Sequence, residues 1–420
     1  MVSGGDRKST RLNSRHLLTT KKRCQENRPP DTFEELRKLE QQDVICIAGV
    51  DFDPLWARTQ QLVWRMPASN RIIYVETPIS ILSPLRDRSL WSKWGLWRQG
   101  LRVRKENLYL YSPPPLLPFA NRWRWVNRLN QAILARALKK VASQAGFSVP
   151  ILITYLPNSA DLALRMGEKL LVYDCVDEHS AFQGFNATLV RQMEIELLQK
   201  ADLVLVTAQP LYDDKSPYNH NIHLLRNAAD VENFRRALDP ELPVADDVAG
   251  LAGPVLGFIG RIKEWIDLGL LGEVARSRPD WHLVLVGPVE YDADVAALKG
   301  LTNVTFTGAR DKEQLPAYLK KFDVCLNPFR AGPLTQAVNP LKLYEYLASG
   351  KPVVSTPMPE LDMLEGLVEI GAGEAGFIAA IERALADTPE KQHQRLEFVK
   401  EHSWEKRVDE MCRLIGQASK

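Results

Sequence analysis

The stretch NPLKLYEYLASGKPVVST, residues 339–356, decides the fold that we predict for this chain. Asn339 can cap a helix, and Pro340 suits the first helical turn, where its missing N–H costs nothing. Apolar side chains at positions 341, 344, 347 and 348 recur at helical spacing and give the helix one face to bury. Gly350 ends the helix, and the β-branched run that follows predicts a short buried strand.

The start of this helix has the properties of a nucleotide site. Free N–H groups and the positive end of the helix dipole attract phosphate, and Lys342 adds positive charge on the first turn. Glu345 follows one turn later, where its carboxylate can accept two hydrogen bonds from the vicinal diol of a ribose. The same spacing also fits an ordinary amphipathic helix with a Lys342–Glu345 salt bridge, so the pattern alone leaves both interpretations open.

The stretch resembles the donor-binding segment P-x-K-x-x-E-Y-L-A-x-G-K-P-V-V of bacterial glycosyltransferases with the two-domain GT-B fold, in particular the retaining, family 4-like group. The resemblance implies that Glu345 holds the ribose of a nucleotide sugar, with Asn339, Leu341 and Lys342 in the same donor site. It covers most of residues 43–420 and is closest to enzymes of cell-surface polysaccharide or teichuronic-acid synthesis. Many retaining members carry another glutamate eight positions earlier, where this chain has Ala337, so the donor sugar stays open.

The rest of the sequence predicts an α/β protein with two doubly wound domains in tandem, and the resemblance implies the GT-B class, in which two Rossmann-like domains face each other across a cleft. Its 420 residues exceed one core, and 45% apolar residues exclude a disordered chain. Short apolar strands alternate with helices in two series, which predicts parallel sheets covered on both faces. The predicted divisions are an N-terminal extension outside the fold (1–42, with a possible helix at 32–42), an acceptor domain (43–226), a linker (227–253) and a donor domain (254–420).

The donor domain opens with a strand that leads into a glycine-containing turn. Gly260 permits a close backbone approach, and the resemblance implies that Arg261 neutralises the donor diphosphate, with Lys263 nearby and Arg310 close to the base. A surface arginine at a βα turn is the alternative for Arg261. The spacing of these glycines is not that of G-x-G-x-x-G, which argues against a nicotinamide cofactor.

The acceptor domain carries two candidate segments. Gly49 follows the first strand, where such enzymes bring a backbone loop close to the donor, and Asp51, Trp56 and Arg58 flank that loop. The sequence DCVDEH, residues 174–179, follows another strand, and the resemblance implies that Asp177 or His179 lies near the reacting sugar, beside the catalytic Arg261.

This acidic loop has two other interpretations. It can be a solvated loop with a helix cap, and its carboxylates and histidine also suit a metal. The resemblance implies no metal and no cofactor, with the nucleoside diphosphate sugar as co-substrate.

A basic and tryptophan-rich region lies between residues 86 and 128. It has ten Lys and Arg against two acidic residues, a local charge of +8 that leaves −6 for the remainder, and half of the ten tryptophans. Indole and basic side chains together suit an anionic membrane surface or a lipid-linked acceptor. Ordinary core tryptophans with solvated arginines are the alternative, and no nucleic-acid motif accompanies the region. The predicted membrane or acceptor patch comprises Trp91, Trp94, Trp97, Arg98, Arg102, Arg104, Trp123 and Arg124.

The expected function is transfer of a sugar, hexosyltransferase-like, from a nucleoside diphosphate sugar to an acceptor hydroxyl. The alternatives are a nucleotide-sugar epimerase of the same fold and a catalytically silent module that binds a sugar nucleotide. The five cysteines form no CxxC pair, which favours a reducing compartment over a disulfide framework. The sequence lacks a signal-peptide core and any stretch of transmembrane length. A cytoplasmic protein, peripheral on the inner face of the membrane, is therefore expected.

Overall fold

Two parallel sheets organise the computed structural model, which describes residues 39–53 and 56–419. The first sheet has the order β3-β4-β2-β1-β5-β6-β7-β8, and all its pairs are parallel except β3 with β4. Its strands are β1 (Asp43–Ile47), β2 (Arg71–Val75), β3 (Leu101–Lys105), β4 (Leu108–Tyr111), β5 (Ile151–Thr154), β6 (Leu170–Cys175), β7 (Leu203–Val206) and β8 (Ile222–Leu224).

The second sheet has the order β11-β10-β9-β12-β13-β14 and is parallel throughout. In each sheet the first strand of the domain, β1 or β9, lies in the interior, and later strands extend the sheet on both sides of it, which is the doubly wound arrangement. The strands are β9 (Val255–Ile259), β10 (His282–Val286), β11 (Val304–Gly308), β12 (Val324–Asn327), β13 (Val353–Ser355) and β14 (Glu369–Ile370).

Helices cover both faces of each sheet. Those up to residue 215 are α1 (Arg58–Arg65), α2 (Ser83–Arg86), α3 (Trp91–Gln99), α4 (Arg124–Gln144), α5 (Ala187–Lys200) and α6 (Gln209–Lys215). The later ones are α7 (Val231–Arg235), α8 (Asp246–Ala249), α9 (Leu268–Ser277), α10 (Leu315–Lys321), α11 (Pro333–Gln336), α12 (Leu341–Ala348), α13 (Gly373–Leu385), α14 (Pro389–Lys400) and α15 (Trp404–Ala418).

The last helix packs on the first domain, although the sequence division places it in the second. Trp404, Val408, Met411 and Ile415 recur at helical spacing and are buried in the core that covers one face of the first sheet. Helix α15 also packs against α1. The first domain therefore takes its final layer from the C-terminal end of the chain.

The first domain also begins earlier than the predicted boundary at residue 43. Leu39 is buried in the same core as α15, and the main-chain N–H of Gln42 donates to Asn70 Oδ1 at 3.0 Å. Residues 1–38 of the predicted extension, and most of its possible helix, lie outside the described residues.

The chain crosses between the domains twice, and the two crossings are hydrogen bonded to each other. The N–H of Ala229, in the first crossing, donates to His402 O at 3.0 Å. The N–H of Trp404, in the second crossing, donates to Ala229 O at 3.2 Å. Arg407 Nε adds a bond of 3.0 Å to Arg226 O. The two crossings therefore form one joined connection.

A buried carboxylate fastens this connection to both domains. Glu360 accepts hydrogen bonds from the main-chain N–H of Gln209 at 2.6 Å, from Arg226 Nε at 2.9 Å and from Asn339 Nδ2 at 2.9 Å. These donors come from the first domain, the first crossing and the segment before α12. A buried carboxylate needs such partners, so Glu360 fixes the place where the domains meet.

Replacing this carboxylate tests its role. We expect Glu360→Ala to destabilise the protein by about 3 kcal/mol, because Arg226 and Asn339 would lose their acceptor in a buried interface. Differential scanning calorimetry would measure the change. Glu365→Ala is the matched control, since Glu365 is exposed on the same segment; equal effects of the two variants would contradict the assignment.

Candidate active site

A cleft of about 630 Å³ separates the carboxyl ends of the strands of the two sheets. In doubly wound folds, ligands bind at this end of the sheet. The lining residues of the first domain are Gly49, Val50, Asp51, Asp53, Trp56, Ala57 and Thr77, and those of the second are Ile259, Gly260, Arg261, Val286, Gly287, Pro288, Arg310, Lys312, Leu315, Leu341, Lys342 and Glu345. Most of the predicted donor residues therefore lie together in one cleft.

Two glycines bring two strand ends of the second domain into contact at the base of the cleft. Gly260 follows β9 and Gly287 follows β10, and each has a φ of 146°, a conformation that favours glycine. A Cβ atom on Gly287 would lie 2.0 Å from Gly260 O, and one on Gly260 would lie 3.1 Å from Lys342 Cε. Glycine at both positions therefore leaves room for the lysine side chain.

Lys342 points over aromatic rings instead of pairing with a carboxylate. Its Nζ lies 5.1 Å from the ring centre of Phe258 and 4.8 Å from that of Phe329. Burial lowers the pKa of Lys342 to about 8, against the opposing field of Glu345. No carboxylate in the described residues forms a salt bridge with it. Its charge is thus available to an anionic ligand.

Glu345 lies one turn further along α12 and is also without a charged partner at bonding distance. Burial raises the pKa of its carboxyl group to about 7. The positive charge of Lys342 lowers this pKa, but it offsets only part of the effect of burial. Among the described residues no side chain donates a hydrogen bond to it. The alternative of a Lys342–Glu345 salt bridge on an ordinary helix is therefore wrong.

The cap predicted for this helix is different in the structure. Helix α12 begins after Pro340, and no side chain caps it. Asn339 is buried, its Oδ1 accepts from the N–H of Asn227 at 2.9 Å, and its main-chain O accepts from Asn227 Nδ2 at 2.7 Å. Because both oxygens of Asn339 accept hydrogen bonds from Asn227, Asn339 joins the first crossing to α12. It does not line the cleft.

The three other predicted cations of the donor domain have different surroundings. Arg261 lines the cleft, is half exposed and is paired with Glu290. Arg310 also lines the cleft but is held by Asp247 at 2.8 Å and by Tyr318, whose hydroxyl accepts from its Nε. Lys263 lies outside the cleft lining, with its Nζ 4.8 Å from the Trp265 ring centre.

Lys312 lines the cleft but was not predicted, because its position in the sequence is typical of the start of a helix. Its Nζ lies 4.9 Å from the ring centre of Trp56, in the opposite domain, and it forms an ion pair with Asp230. Asp230 also pairs with Arg65 at 3.0 Å. A cation held over an aromatic ring of the facing domain spans the cleft.

Two polar residues near Gly49 are engaged within the first domain. Arg58 is buried and forms a bidentate pair with Asp174, at 2.8 and 3.1 Å. Asp51 lines the cleft, but its carboxylate accepts from the N–H of Thr77 at 3.2 Å and is paired with Lys93. Arg58 therefore supports the strand ends, and a direct contact with a sugar is excluded by its burial.

The loop after β6 lies outside the lining of the cleft. His179 is buried, its Nε2 has no hydrogen-bond partner in the described residues, and its ring centre lies 5.6 Å from that of Phe182. Asp177 is half-buried, and burial raises the pKa of its carboxyl group. The turn that His179 starts contacts α11 of the facing domain, so the loop adjoins the cleft from the side.

A buried lysine holds this loop in place. Lys215 Nζ donates to Glu178 and Glu194, each at 2.7 Å, and also pairs with Asp214 at 2.7 Å. Burial alone would lower the pKa of Lys215, but the carboxylates of Glu194 and its neighbours raise it instead. Glu178 in turn accepts from the N–H of Ser180 at 3.3 Å.

The residue that replaces the expected first glutamate, Ala337, lies in an apolar contact. It is 9% exposed and belongs to the hydrophobic core cluster of the first domain, although it comes from the second. A carboxylate at this position would be buried among apolar groups, which is unfavourable.

The predicted tryptophan and arginine patch is divided in the structure. Trp91 and Trp123 are about half exposed, whereas Trp97 packs on the first-domain core. The Nε1 of Trp94 is buried and has no hydrogen-bond partner in the part of the chain that the structure describes. Arg98 is exposed.

The other patch arginines have acidic partners within the domain. Arg102 is paired with Glu76, Arg104 with Asp53 and Arg124 with Asp161 and Glu196. Part of the predicted patch is therefore core or internally neutralised.

Within residues 39–53 and 56–419, no group of three or more His, Cys, Asp or Glu side chains is placed to hold a metal ion. Within the same part of the chain, no helix is both long and apolar enough to cross a bilayer.

Two Rossmann-like domains facing across such a cleft define the GT-B fold. Residues 253–387 match the family described as Glycosyl transferases group 1. The chain is 30% identical over 244 residues to the inferred teichuronic acid biosynthesis glycosyltransferase TuaH of Bacillus subtilis (strain 168). That alignment covers 54% of this chain and 61% of the relative, so it spans less than two thirds of the relative's length.

Solved structures share the fold over nearly their whole length. Sucrose-phosphate synthase from Thermosynechococcus elongatus has a TM-score of 0.67 at 17% identity, covering 90% of this chain and 98% of that one. Anabaena HepE, in complex with UDP and glucose, has a TM-score of 0.59 at 15% identity, covering 89% of this chain and 98% of that one. The predicted fold class is confirmed, and the matches to a glycosyltransferase family and to TuaH agree with the resemblance to bacterial GT-B glycosyltransferases.

The pKa values of the cleft pair predict a pH optimum for nucleotide binding. Affinity for a nucleoside diphosphate should rise with pH through about 7, as Glu345 ionises and can accept from a ribose, and fall above about 8, as Lys342 loses its charge. Isothermal titration calorimetry from about pH 5 to about pH 10 would measure this.

Two variants show whether the rise and the fall of affinity with pH come from the protein and not from the titration of the ligand. Glu345→Gln should remove the rise and Lys342→Met the fall, because each leaves the other group in place. A profile of unchanged shape in both variants would contradict the assignment of the cleft pair.

Proposed function

We propose that the protein transfers a glycosyl group from a nucleoside diphosphate sugar to an acceptor hydroxyl. The observation that carries this proposal is the cleft pair on α12, an uncompensated lysine at the helix start and an uncompensated glutamate one turn later. A ligand with a negative diphosphate and a neutral diol complements the two groups in that order. The match of residues 253–387 to a glycosyltransferase family supports the same conclusion.

In this proposal the donor diphosphate lies between Lys342, Arg261 and the start of α12. The bond between the sugar C1 and the diphosphate oxygen breaks, and the acceptor oxygen forms a new bond to C1. The acceptor proton passes to the leaving diphosphate. The cations stabilise the negative charge that grows on this leaving group, which is the larger part of what the protein must supply.

We infer a retaining, metal-independent reaction. The acceptor oxygen would form its bond to C1 on the face from which the diphosphate leaves, which preserves the configuration at C1. The acceptor proton would pass to that diphosphate, so no protein base is required at bonding distance. Arg261, Lys312 and Lys342 line the cleft and supply the charge that a divalent cation would otherwise provide. His179 and Asp177, beside the cleft, are proposed to approach the sugar only when the domains close, as lids and domains do in many enzymes.

The acceptor is proposed to belong to cell-surface polysaccharide or glycolipid synthesis, at the cytoplasmic face of the membrane. The relative TuaH, with its teichuronic acid name, supports this placement. A second function, binding of a sugar nucleotide without catalysis, is favoured by one observation, the apolar contact of Ala337 where family members place a carboxylate.

Thermal stabilisation by UDP, GDP, ADP and TDP tests the donor site. One nucleotide should stabilise the protein, by about 2.7 kcal/mol at a hundredfold excess over its dissociation constant, since it binds only the folded state. The shift should be clearly smaller in Glu345→Gln and retained in the control Glu273→Ala, an exposed glutamate of α9. No shift with any of the four would contradict the donor site.

The preferred nucleotide then selects the sugar donors for a transfer assay. We expect product with an acceptor present, the same anomeric configuration in product and donor by NMR, and full activity in excess EDTA. Inverted product would refute the retaining mechanism, and loss of activity with EDTA would refute metal independence. Isomerised sugar without acceptor would identify an epimerase, and binding with no turnover a silent module.

A further inference from the structure

A second cavity, of about 300 Å³, lies in the first domain directly beside the donor cleft. The two spaces share strand ends: Gly49 and Thr77 line the cleft, while Ile47 and Pro78 line the second cavity. The remaining walls come from the segment after β4, from α4 and from residues 184–185. A ligand in this cavity would therefore lie next to the donor.

The floor of the cavity is a row of amide side chains on α4. Asn127 donates from Nδ2 to Asn158 O at 2.9 Å, and Gln131 donates from Nε2 to Asn127 Oδ1 at 3.4 Å. Gln131 is only 4% exposed, yet its Oε1 has no hydrogen-bond partner in the described residues. A buried amide oxygen without a donor is costly, and a ligand hydroxyl would satisfy it.

The opening of the cavity is apolar and rigidly held. Asn130 bonds both to the N–H and to the O of Leu117, each at 2.9 Å, and so fixes the segment that forms one side of the opening. Phe119 and Phe185 line the other parts. The ring centre of Phe185 lies 6.0 Å from that of Phe182. The ring centre of Phe182 in turn lies 5.6 Å from that of His179.

Large apolar side chains surround this opening and face solvent. The N–H of Ile81 bonds to Leu116 O at 2.9 Å, which joins the segment of residues 79–85 to that of residues 116–125. The rings of Phe119 and Trp123 lie 5.4 Å apart. The exposed members are Ile81, Leu82, Leu85, Phe119, Trp123, Trp125, Leu129 and Phe185, which we call the apolar rim.

Cations border the apolar rim. Arg122 and Arg128 are exposed on its α4 side, and Arg88 is exposed beyond Leu85. Exposed indoles beside exposed guanidinium groups match the interface of an anionic bilayer, where rings enter the headgroup region and cations meet phosphates. This combination of exposed indoles and cations favours a membrane over the surface of another protein.

We propose that the second cavity binds the hydroxyl-bearing head of a lipid-linked acceptor while the apolar rim rests on the bilayer. The lipid chain leaves the cavity between Phe119 and Phe185 and enters the membrane. The head presents its hydroxyl oxygen to the donor sugar, and its proton leaves with the diphosphate as described above. The proposal rests on the proposed function and names the substrate class for it.

Co-sedimentation with vesicles tests the rim. The protein should pellet with phosphatidylglycerol–phosphatidylcholine vesicles and much less with phosphatidylcholine alone. The double variant Trp123→Ser/Trp125→Ser should bind the anionic vesicles at least about tenfold more weakly, because both indoles are exposed and lost together. Tyr291→Ser, which removes a fully exposed aromatic residue of the second domain, is the matched control and should bind as the parent does. A parent protein that stays in the supernatant, or a double variant that pellets equally, overturns the membrane contact.

Two glucosides that share one head group test the cavity. Dodecyl β-D-glucoside, below its micellar concentration, should raise the melting temperature, and methyl β-D-glucoside should not. Gln131→Leu, similar in size, should abolish the dodecyl shift, while its response to the nucleotide reports whether the protein is folded. Equal shifts with both glucosides, or an undiminished shift in Gln131→Leu, overturn the assignment of the cavity.

The outcomes separate this proposal from the proposed function. Nucleotide stabilisation without vesicle or dodecyl glucoside binding would refute the lipid-linked acceptor and leave sugar transfer intact. Vesicle and dodecyl glucoside binding without any nucleotide response would refute sugar transfer, and with it the role of the cavity as an acceptor site.

Discussion

One buried carboxylate, that of Glu360, requires hydrogen-bond donors, and this requirement constrains the arrangement of the two domains. Its donors are a main-chain N–H, a guanidinium and an amide, and they come from three separate segments. Without these three donors the charge would be buried without partners, which costs several kcal/mol. The same contacts place Asn339, and therefore the start of α12, opposite the end of β1. The cleft exists where it does because this group of polar atoms must be brought together.

The cleft itself has the opposite character, because its charges are left without partners. Lys342 faces aromatic rings and Glu345 has no donor among the described residues, so desolvation disfavours the charged form of both. A lysine and a glutamate on a protein surface would ordinarily form a salt bridge, which stabilises the charged form of both. In the proposed function, their separation along the helix presents each group to a different part of one ligand, and binding would restore the interactions that folding removed.

The features that local sequence determines were predictable. Both predicted series of short apolar strands are present, whereas two edge strands were missed. Strand β3 was missed because LRVRK is basic and half exposed, and β14 because it has only two residues. Lys342 and Glu345 were found because the donor segment is contiguous. Asn339 was misread as a cap, since its partners lie 112 and 21 residues away. The ion pairs of Arg102 and Arg124, and the cavity below Phe119, likewise depend on segments that only the folded chain brings together.

The pairing of the two crossings has a mechanical consequence. Since Ala229 is bonded to both His402 and Trp404, the domains are joined by two adjacent strands of chain and not by a single flexible tether. Such a joint resists twisting and sliding, and the motion that strains it least is rotation about one line through Ala229. The closing domains would then repeat one path, and each closure would deliver the α12 groups to the same point above the first domain.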